Sequence, residues 1–273
     1  MRIDGVVVLY NPEEDVLSNI EGYRPFLERL YVVDNSTQVN EKIVDKLKEF
    51  NNVKYISLNG NKGIGKALKT GLLEAINDGV DVCLTMDQDS IFPSDKWDRV
   101  QTYLNNNLAD YAIIGLNYKN DGPKEGIIDS QTLITSGNFI NMKDYKRIDG
   151  FNEELFIDCV DFELNEQFYN LNRKIGYINE ISLIHKMGNP IKVKILWKEF
   201  TALNHPPIRY YYRFRNGYYL YKKNKKFYKW MKSKLFNMRI KTLLYEPNKK
   251  EKFKMMRRGI KDAKANKLGK FEE

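Results

Sequence analysis

Two carboxylates one residue apart, Asp87 and Asp89, close the apolar run 80–86. Such a pair repels itself unless a cation or a ligand's hydroxyls sit between the charges. Mg²⁺ or Mn²⁺ is the natural occupant, because either ion accepts oxygen ligands from a protein and from a substrate's phosphates. A gripped ribose is the second reading of the pair, and a solvated turn the third. If the apolar run is a strand of an open α/β sheet, the pair stands at its carboxyl end, where such sheets bind ligands.

Other groups have similar placement. Asp34 closes the short run 31–33 and is either an acceptor for a pyrimidine imino N–H or the cap of a following helix. Asn61-Lys62-Gly63-Ile64-Gly65-Lys66 is neither G-x-x-x-x-G-K-[ST] nor G-x-G-x-x-G. Its glycines still allow a backbone to approach a nucleotide, and the helix it opens attracts phosphate; a plain tight turn is the alternative. Asp158, Asp161 and Glu163 fall within six positions, and a carboxylate in a cleft can take a proton from an attacking hydroxyl. On a helix, Asp158 and Asp161 share a face. His185 is one of two histidines; it is a loop or core residue, or it completes the coordination of a metal on a diphosphate. No Ser-His-Asp or Cys-His order supports a covalent nucleophile.

The first half alternates in the βαβ manner that implies a mainly parallel sheet. Residues 3–10, 31–33, 53–58 and 80–86 read as strands, with helices after Asn11-Pro12, over the Lys- and Glu-rich stretch to about Phe50, and over 66–77. Tyr10-Asn11, Asp34, Asn61-Lys62-Gly63 and Asp87-Gln88-Asp89 each follow a strand, so one sheet edge gathers them. Beyond Ser90, residues 111–116 and 127–136 read as further strands, with a turn at Gly137-Asn138. A helix follows from about Val160, and then an extended stretch from 174 ends at His185.

The chain has 273 residues, 42% of them hydrophobic, and a net charge of +9. Residues 205–273 hold 22 Lys and Arg against 5 Asp and Glu, a balance of +17, while the first 204 hold 23 against 31, a balance of −8. The sequence therefore predicts an acidic catalytic domain over 1–204 and a basic, aromatic extension over 205–273. In that extension Tyr218, Tyr219, Tyr221, Phe227, Tyr228 and Trp230 alternate with lysines. Aromatic and basic residues suit an anionic membrane surface; a helical hairpin packed on the domain is the plainer reading. Cys83 and Cys159 lie in apolar stretches and read as buried thiols, which fits a reducing cytoplasm. No apolar run approaches the ~18 residues that span a bilayer, and Met1 to Gly5 does not open a signal peptide.

Together these residues resemble the family-2 glycosyltransferases, inverting enzymes of the GT-A fold, and particularly their rhamnosyltransferase-like branch. The likeness runs from Val6-Val7-Val8-Leu9-Tyr10-Asn11-Pro12 through Val33-Asp34-Asn35-Ser36, Asn61 to Gly65, Asp87-Gln88-Asp89-Ser90 and Ser136-Gly137-Asn138. It continues through Phe156-Ile157-Asp158 to Glu163, His185-Lys186-Met187-Gly188 and His205-Pro206-Pro207 to Arg215-Asn216. The resemblance implies an α/β fold: a mixed, mostly parallel sheet flanked by helices, with a C-terminal helical basic extension. It implies that Tyr10, Asn11 and Asp34 hold the nucleobase, with Asn61 and Gly63 in the donor loop. Asp87 would contact the sugar-phosphate, and Asp89, with His185 nearby, a Mn²⁺ or Mg²⁺ ion. Residues 1–90 would form the nucleotide-sugar half and 91–204 the acceptor half, where Ser136, Gly137, Asn138 and Asp158 would border the acceptor. Asp161 would be the base; a register shifted by two or three residues would give Asp158. Lys69 stands where the family usually has Asn, Gln167 for a common Arg, and Leu164 for a common Trp.

The implied reaction moves rhamnose from dTDP-rhamnose, or a sugar from a UDP donor, to a hydroxyl of a saccharide or lipid-linked acceptor of cell-surface polysaccharide. The enzyme would sit at the inner face of the membrane. A nucleotidyltransferase would need a basic, Gly-rich first loop, where this chain has the acidic Glu13-Glu14-Asp15. A nucleic-acid-binding protein would use the basic tail, but the acidic body and the absence of RNP or zinc-finger patterns oppose it.

Overall fold

The computed structural model describes residues 1–118, 125–185, 191–195 and 197–272. It divides into two compact units, Met1–Glu153 with Val160–Lys186, and Glu154–Cys159 with Met187–Glu273. The basic charge begins at 205, but compactness divides the chain at 186/187, because a hairpin upstream of the helices belongs to the second unit.

The first unit contains β1 (Ile3–Leu9), α1 (Asp15–Glu21), β2 (Leu30–Asp34), α2 (Glu41–Lys48), β3 (Val53–Ser57), α3 (Ile64–Asn77) and β4 (Val82–Asp87). It goes on with β5 (Ser90–Ile91), α4 (Trp97–Asn107), β6 (Tyr111–Asn117), β7 (Ile127–Asp129), β8 (Asn138–Asn141), α5 (Met142–Tyr145), α6 (Val160–Asn170), β9 (Lys174–Ser182) and β10 (Ile184–His185). Among the described residues, eight strands form one sheet in the order β3-β2-β1-β4-β8-β6-β9-β7. The first four are parallel, and β8 runs antiparallel between β4 and β6. β1 is buried at every position, as a strand covered on both faces must be. α3 lies against it at close range: a Cβ at Gly71 would meet Val6 Cγ1 at 2.6 Å.

One local expectation is corrected. The stretch 127–136 is strand only over β7, and Asn138, read as part of a turn, is the first residue of β8. Gly137, at φ +76°, makes the reversal that feeds this antiparallel strand into the sheet.

The second unit holds the hairpin β11 (Ile191–Ile195) and β12 (Lys198–Ala202), then α7 (Pro207–Lys223), α8 (Lys229–Leu244) and α9 (Lys249–Lys264). α9 closes on α7 at Gly259, where a Cβ would clash with Tyr211 O. Tyr210, Tyr211, Tyr212, Phe214, Phe227 and Tyr228 are buried. Of the six aromatics that composition offered to a membrane, Phe227 and Tyr228 are buried in this unit, while Tyr218, Tyr219, Tyr221 and Trp230 are half-buried. Cys83 and Cys159 are both buried free thiols.

Candidate active site

The strand order reverses between β1 and β4, with β2 and β3 on one side and β8 on the other. Ligands of open α/β sheets bind beyond the carboxyl ends of the strands at such a point, and Tyr10, Asn11, Asp34, Asn61, Gly63, Asp87 and Asp89 lie at or just beyond the ends of β1 to β4. Val8 pairs with Asp87 in register, so Tyr10 emerges beside Gln88. The Gln88 amide clamps it on both sides: Tyr10 N donates to Gln88 Oε1 at 2.7 Å, and Gln88 Nε2 donates to Tyr10 O at 3.2 Å. Asn19 Nδ2 in turn donates to Gln88 O at 2.9 Å. The sequence motif contained Gln88 without a role. The available signal was an amide directly after the residue paired with β1's end.

Asn11, at φ +44°, joins the ends of β1 and β2. Its N–H donates to Ser36 Oγ at 2.8 Å, and its Oδ1 accepts from Thr37 N at 3.1 Å. Asp34 is buried. Its Oδ1 accepts from Ser36 N at 2.8 Å, an Asx turn, and its Oδ2 accepts from Tyr55 Oη at 2.7 Å. It does not cap the following helix, which begins after Asn40. A carboxylate has about four lone-pair positions, so two remain for a donor such as an imino N–H. Burial, followed by the bond to Asp34, pushes the Tyr55 phenol up and keeps it protonated as that donor.

Asn35 carries the network to the glycine loop. Its Oδ1 accepts from Lys62 N at 2.7 Å, and its Nδ2 donates to Asn61 Oδ1 at 3.2 Å. Asn61 Oδ1 also accepts from Gly63 N at 3.0 Å. Gly63 sits at φ +91° before α3, a conformation that side chains other than hydrogen resist. Asn35 and Ser36 are therefore positioning residues with no role assigned from sequence.

On the other side of β4, Ser136 Oγ accepts from Asp87 N at 3.0 Å and donates to Ser90 Oγ at 2.8 Å. Gly137 N donates to Thr85 O at 2.8 Å. Asp87, Gln88 and Asp89 are half-buried. β10 pairs with β5 so that His185 stands opposite Ser90; its side chain, and the Lys186-Met187-Gly188 part of the motif, lie outside the described residues. Among the described residues, no group of three His, Cys, Asp or Glu side chains could hold a metal. The donor set nonetheless fits Mg²⁺ or Mn²⁺, which bind through one or two carboxylates together with substrate phosphates rather than in an all-protein cage.

The acidic segment divides in two. Asp161 is in the first turn of α6, where its Oδ1 accepts from Phe162 N at 2.9 Å. Asn165 Nδ2 ties that helix to Leu133 O at 3.0 Å, and Gln167 Nε2 bridges Gly150 O and Glu163 Oε2 at 2.8 and 2.6 Å. Lys69 pairs with Glu153 at 3.9 Å, and Leu164 is buried. Asp158 precedes the helix at φ +62°, so the shared helical face expected of Asp158 and Asp161 does not form. Within the second unit Asp158 accepts from Arg209 Nε at 2.6 Å and from Arg213 Nε at 3.2 Å. Burial pushes its carboxyl up, but the two guanidiniums outweigh that and hold it below the usual range. Burial, with Arg213 and Arg209 beside it, lowers His205 to about 4. A carboxylate held by two cations is a poor proton acceptor, which leaves Asp161 as the stronger candidate for a base.

A cleft of about 610 Å³ also opens beside Asn11 and Pro12. Glu14, Glu41 and Lys42 are in its wall, which leaves it net acidic.

A mixed, mostly parallel sheet with an Asp-x-Asp turn at its switch point fits the GT-A architecture that the resemblance implies. Residues 6–164 match Glycosyl transferase family 2, and the chain belongs to that family; it is a glycosyltransferase. It is 29% identical to the dTDP-rhamnosyl transferase RfbF of Shigella flexneri over 283 residues, covering 95% of this chain and 93% of that protein. S. aureus TarS 1–349 in complex with UDP-GlcNAc superposes at TM-score 0.56 and 16% identity over 97% of this chain and 73% of that one. GalNAc-T7 with UDP, GalNAc and Mn²⁺ superposes at TM-score 0.57 and 11% identity over 67% and 43%. The two structural likenesses speak for the fold. Among the described residues no helix is long and apolar enough to cross a membrane.

Proposed function

We propose that this glycosyltransferase moves rhamnose from dTDP-rhamnose to a hydroxyl of a saccharide or lipid-linked acceptor in cell-surface polysaccharide synthesis. The observation that carries this reading is the hydrogen-bonded rim at the switch point, from Asp34 and the glycine loop through Tyr10 to Asp87-Gln88-Asp89. The near full-length likeness to RfbF supports the donor.

In this reading Tyr10, Asn11 and Asp34 receive the nucleobase, Asn61 and Gly63 border the donor, and Asp87 meets its sugar-phosphate. Asp89, with His185 opposite Ser90, would hold a Mn²⁺ or Mg²⁺ ion, which when bound offsets the charge developing on the departing diphosphate. Ser136, Gly137 and Asn138 border the acceptor. Asp161 takes the proton of the acceptor hydroxyl as that oxygen attacks the anomeric carbon from the face opposite the nucleotide. The new C–O bond forms as the bond to dTDP breaks, the proton stays on Asp161, and the configuration inverts. The protein works in the cytoplasm, peripherally attached to the inner membrane face; the +17 balance of residues 205–273 supports attraction to anionic lipid.

Asp161→Asn is expected to lower kcat by about 10²–10⁴-fold, the usual worth of a general base, and to leave dTDP affinity unchanged. Near-normal turnover would remove Asp161 from its role. A thermal-shift panel of dTDP, UDP, GDP and CDP sugars with Mn²⁺ or Mg²⁺ tests the donor, and stabilisation by UDP sugars alone would overturn the rhamnose assignment.

A further inference from the structure

Besides the aromatics singled out by composition, the second unit has a different and more exposed apolar surface. Phe236, Ile240, Leu243 and Leu244 of α8 are 59%, 40%, 57% and 54% exposed. Their spacing puts them within an arc of about 100° on one face. Met231, Leu235 and Thr242, on the far side of the helix, are buried. α8 is therefore apolar on two opposite faces, and only one is covered. Elsewhere, exposed apolar side chains such as Leu73 and Tyr169 lie at separate places in the chain, and single ones need no explanation, whereas a continuous stripe does.

The charge on the helix identifies the occupant. α8 carries Lys229, Lys232, Lys234, Arg239 and Lys241 and not one acid. The adjoining hairpin is basic too: Trp197 is 79% exposed, with Lys194 and Lys198 near it in sequence, while Lys192 pairs with Glu199 at 2.9 Å. The hairpin is fixed to the end of α8, where Phe200 stacks on Tyr245 with ring centroids 5.3 Å apart. A second copy seated on this stripe through a two-fold axis would set cations against cations. Nucleic acid would match the charge and could stack on Phe236 or Trp197, but it offers nothing to Ile240, Leu243 and Leu244. An anionic bilayer surface satisfies both requirements, with acyl chains for the stripe, headgroup phosphates for the lysines and the interface itself for the tryptophan.

We infer that the exposed stripe of α8, with Trp197, is a docking face for an anionic phospholipid membrane. This deepens the peripheral location proposed above and rests on it only for its purpose, because lipid binding is measured without donor or acceptor. The test is co-sedimentation of the full chain with vesicles of equal parts phosphatidylglycerol and phosphatidylcholine, compared with phosphatidylcholine alone. The wild type should bind the mixed vesicles, and high salt should weaken that binding. Phe236→Ser combined with Leu243→Ser should reduce binding at least about tenfold, with an unchanged melting temperature and unchanged dTDP binding. Lys232→Gln combined with Lys241→Gln should weaken binding on the mixed vesicles only.

Indifference to phosphatidylglycerol would overturn the inference, as would wild-type binding by the serine variant. So would a wild-type dimer that the serine variant dissolves, or a tighter association with RNA than with vesicles. The arms are separable from the catalytic reading. Failure to bind any dTDP sugar would sink that reading and leave the lipid result standing, and failure on vesicles alone would sink this one.

Discussion

Asp4 and Glu246 are both buried carboxylic acids, one in each unit, and their surroundings differ. Asp4 lies inside β1; its Oδ1 has no hydrogen-bond partner and Tyr31 Oη stands 3.4 Å from its Oδ2. Burial pushes its pKa up. Glu246 accepts from Lys252 Nζ at 2.7 Å and from Leu203 N at 2.9 Å. Burial pushes it up as well, but these partners outweigh burial and hold it below the usual range. The sheet unit leaves Asp87 and Asp89 half-buried at a strand end, where water still screens them, and buries Asp34 with two hydrogen-bond donors. The helical unit carries charge through its core, and there Lys252, Arg215 and Asp262 are all buried and all partnered. Replacing acid by amide therefore has opposite expected signs at Asp4 and at Glu246.

The largest effect is expected at Glu246. Glu246→Gln leaves the Lys252 ammonium, 1% exposed, without its counter-charge, and removing one partner of a buried pair costs about 3–5 kcal/mol. Urea denaturation monitored in α7 to α9 should show that loss. The double change Glu246→Leu with Lys252→Met should recover most of it, because a well-packed apolar pair of similar volume is often neutral. A folded-state pKa below the unfolded value gives stability that is present above the unfolded pKa and lost as pH falls. The wild type should therefore lose stability below about pH 4.5, and Glu246→Gln should lose less there. An equal loss in both would show that the pair does not set the difference between the units.

Asn216 comes next. Its Nδ2 donates to the carbonyls of Leu155, Ile157 and Asp158, each at 2.8 Å, and Arg215 Nη2 reaches Leu155 O at 2.9 Å. These bonds hold a loop in which Phe156, Asp158 and Cys159 all have φ above +60°. Each such residue costs on the order of 1–3 kcal/mol and persists only where its surroundings over-determine it. Asn216→Ala should lower stability by about 2–3 kcal/mol. Because the loop leads directly into α6 and Asp161, kcat should fall about tenfold or more. KM for the donor should hold, since residues of the sheet's rim bind it. A rise in KM with kcat intact would contradict that division.

The strand ends were legible because long apolar runs announce buried parallel strands, and whatever polar residue follows each run is carried to the sheet edge. That logic located Tyr10, Asp34, Gly63 and Asp87 without any contact being known. It missed Gln88 and Asn35, whose partners lie 78 and 27 residues away and have no local signature. It could not place β8, because an antiparallel strand entering between β4 and β6 is fixed by pairing rather than by its own four residues. The aromatic extension was legible as helical and basic. Its faces were not, because Tyr210 to Phe214 and Phe236 to Leu244 look alike in composition and differ only in what covers them. Asp158 illustrates the same limit: its spacing from Asp161 suits a helix, but two arginines over fifty residues downstream claim it instead.

The smallest effect tests the contrast most directly. Asp4→Asn removes a carboxylate that burial disfavours and replaces it with an amide of nearly equal volume. A folded-state pKa above the unfolded value means that the ionised form costs stability once pH exceeds the unfolded value. At pH 7 the asparagine variant should therefore be as stable as the wild type or more so, by about 1 kcal/mol. Near pH 3, where the acid is protonated in both folded and unfolded chains, the gain should vanish. Thermal unfolding at the two pH values gives the answer. Destabilisation at pH 7 comparable with that of Glu246→Gln would mean that Asp4 is paired as tightly as the helical unit's acids, and the contrast between the two cores would fall.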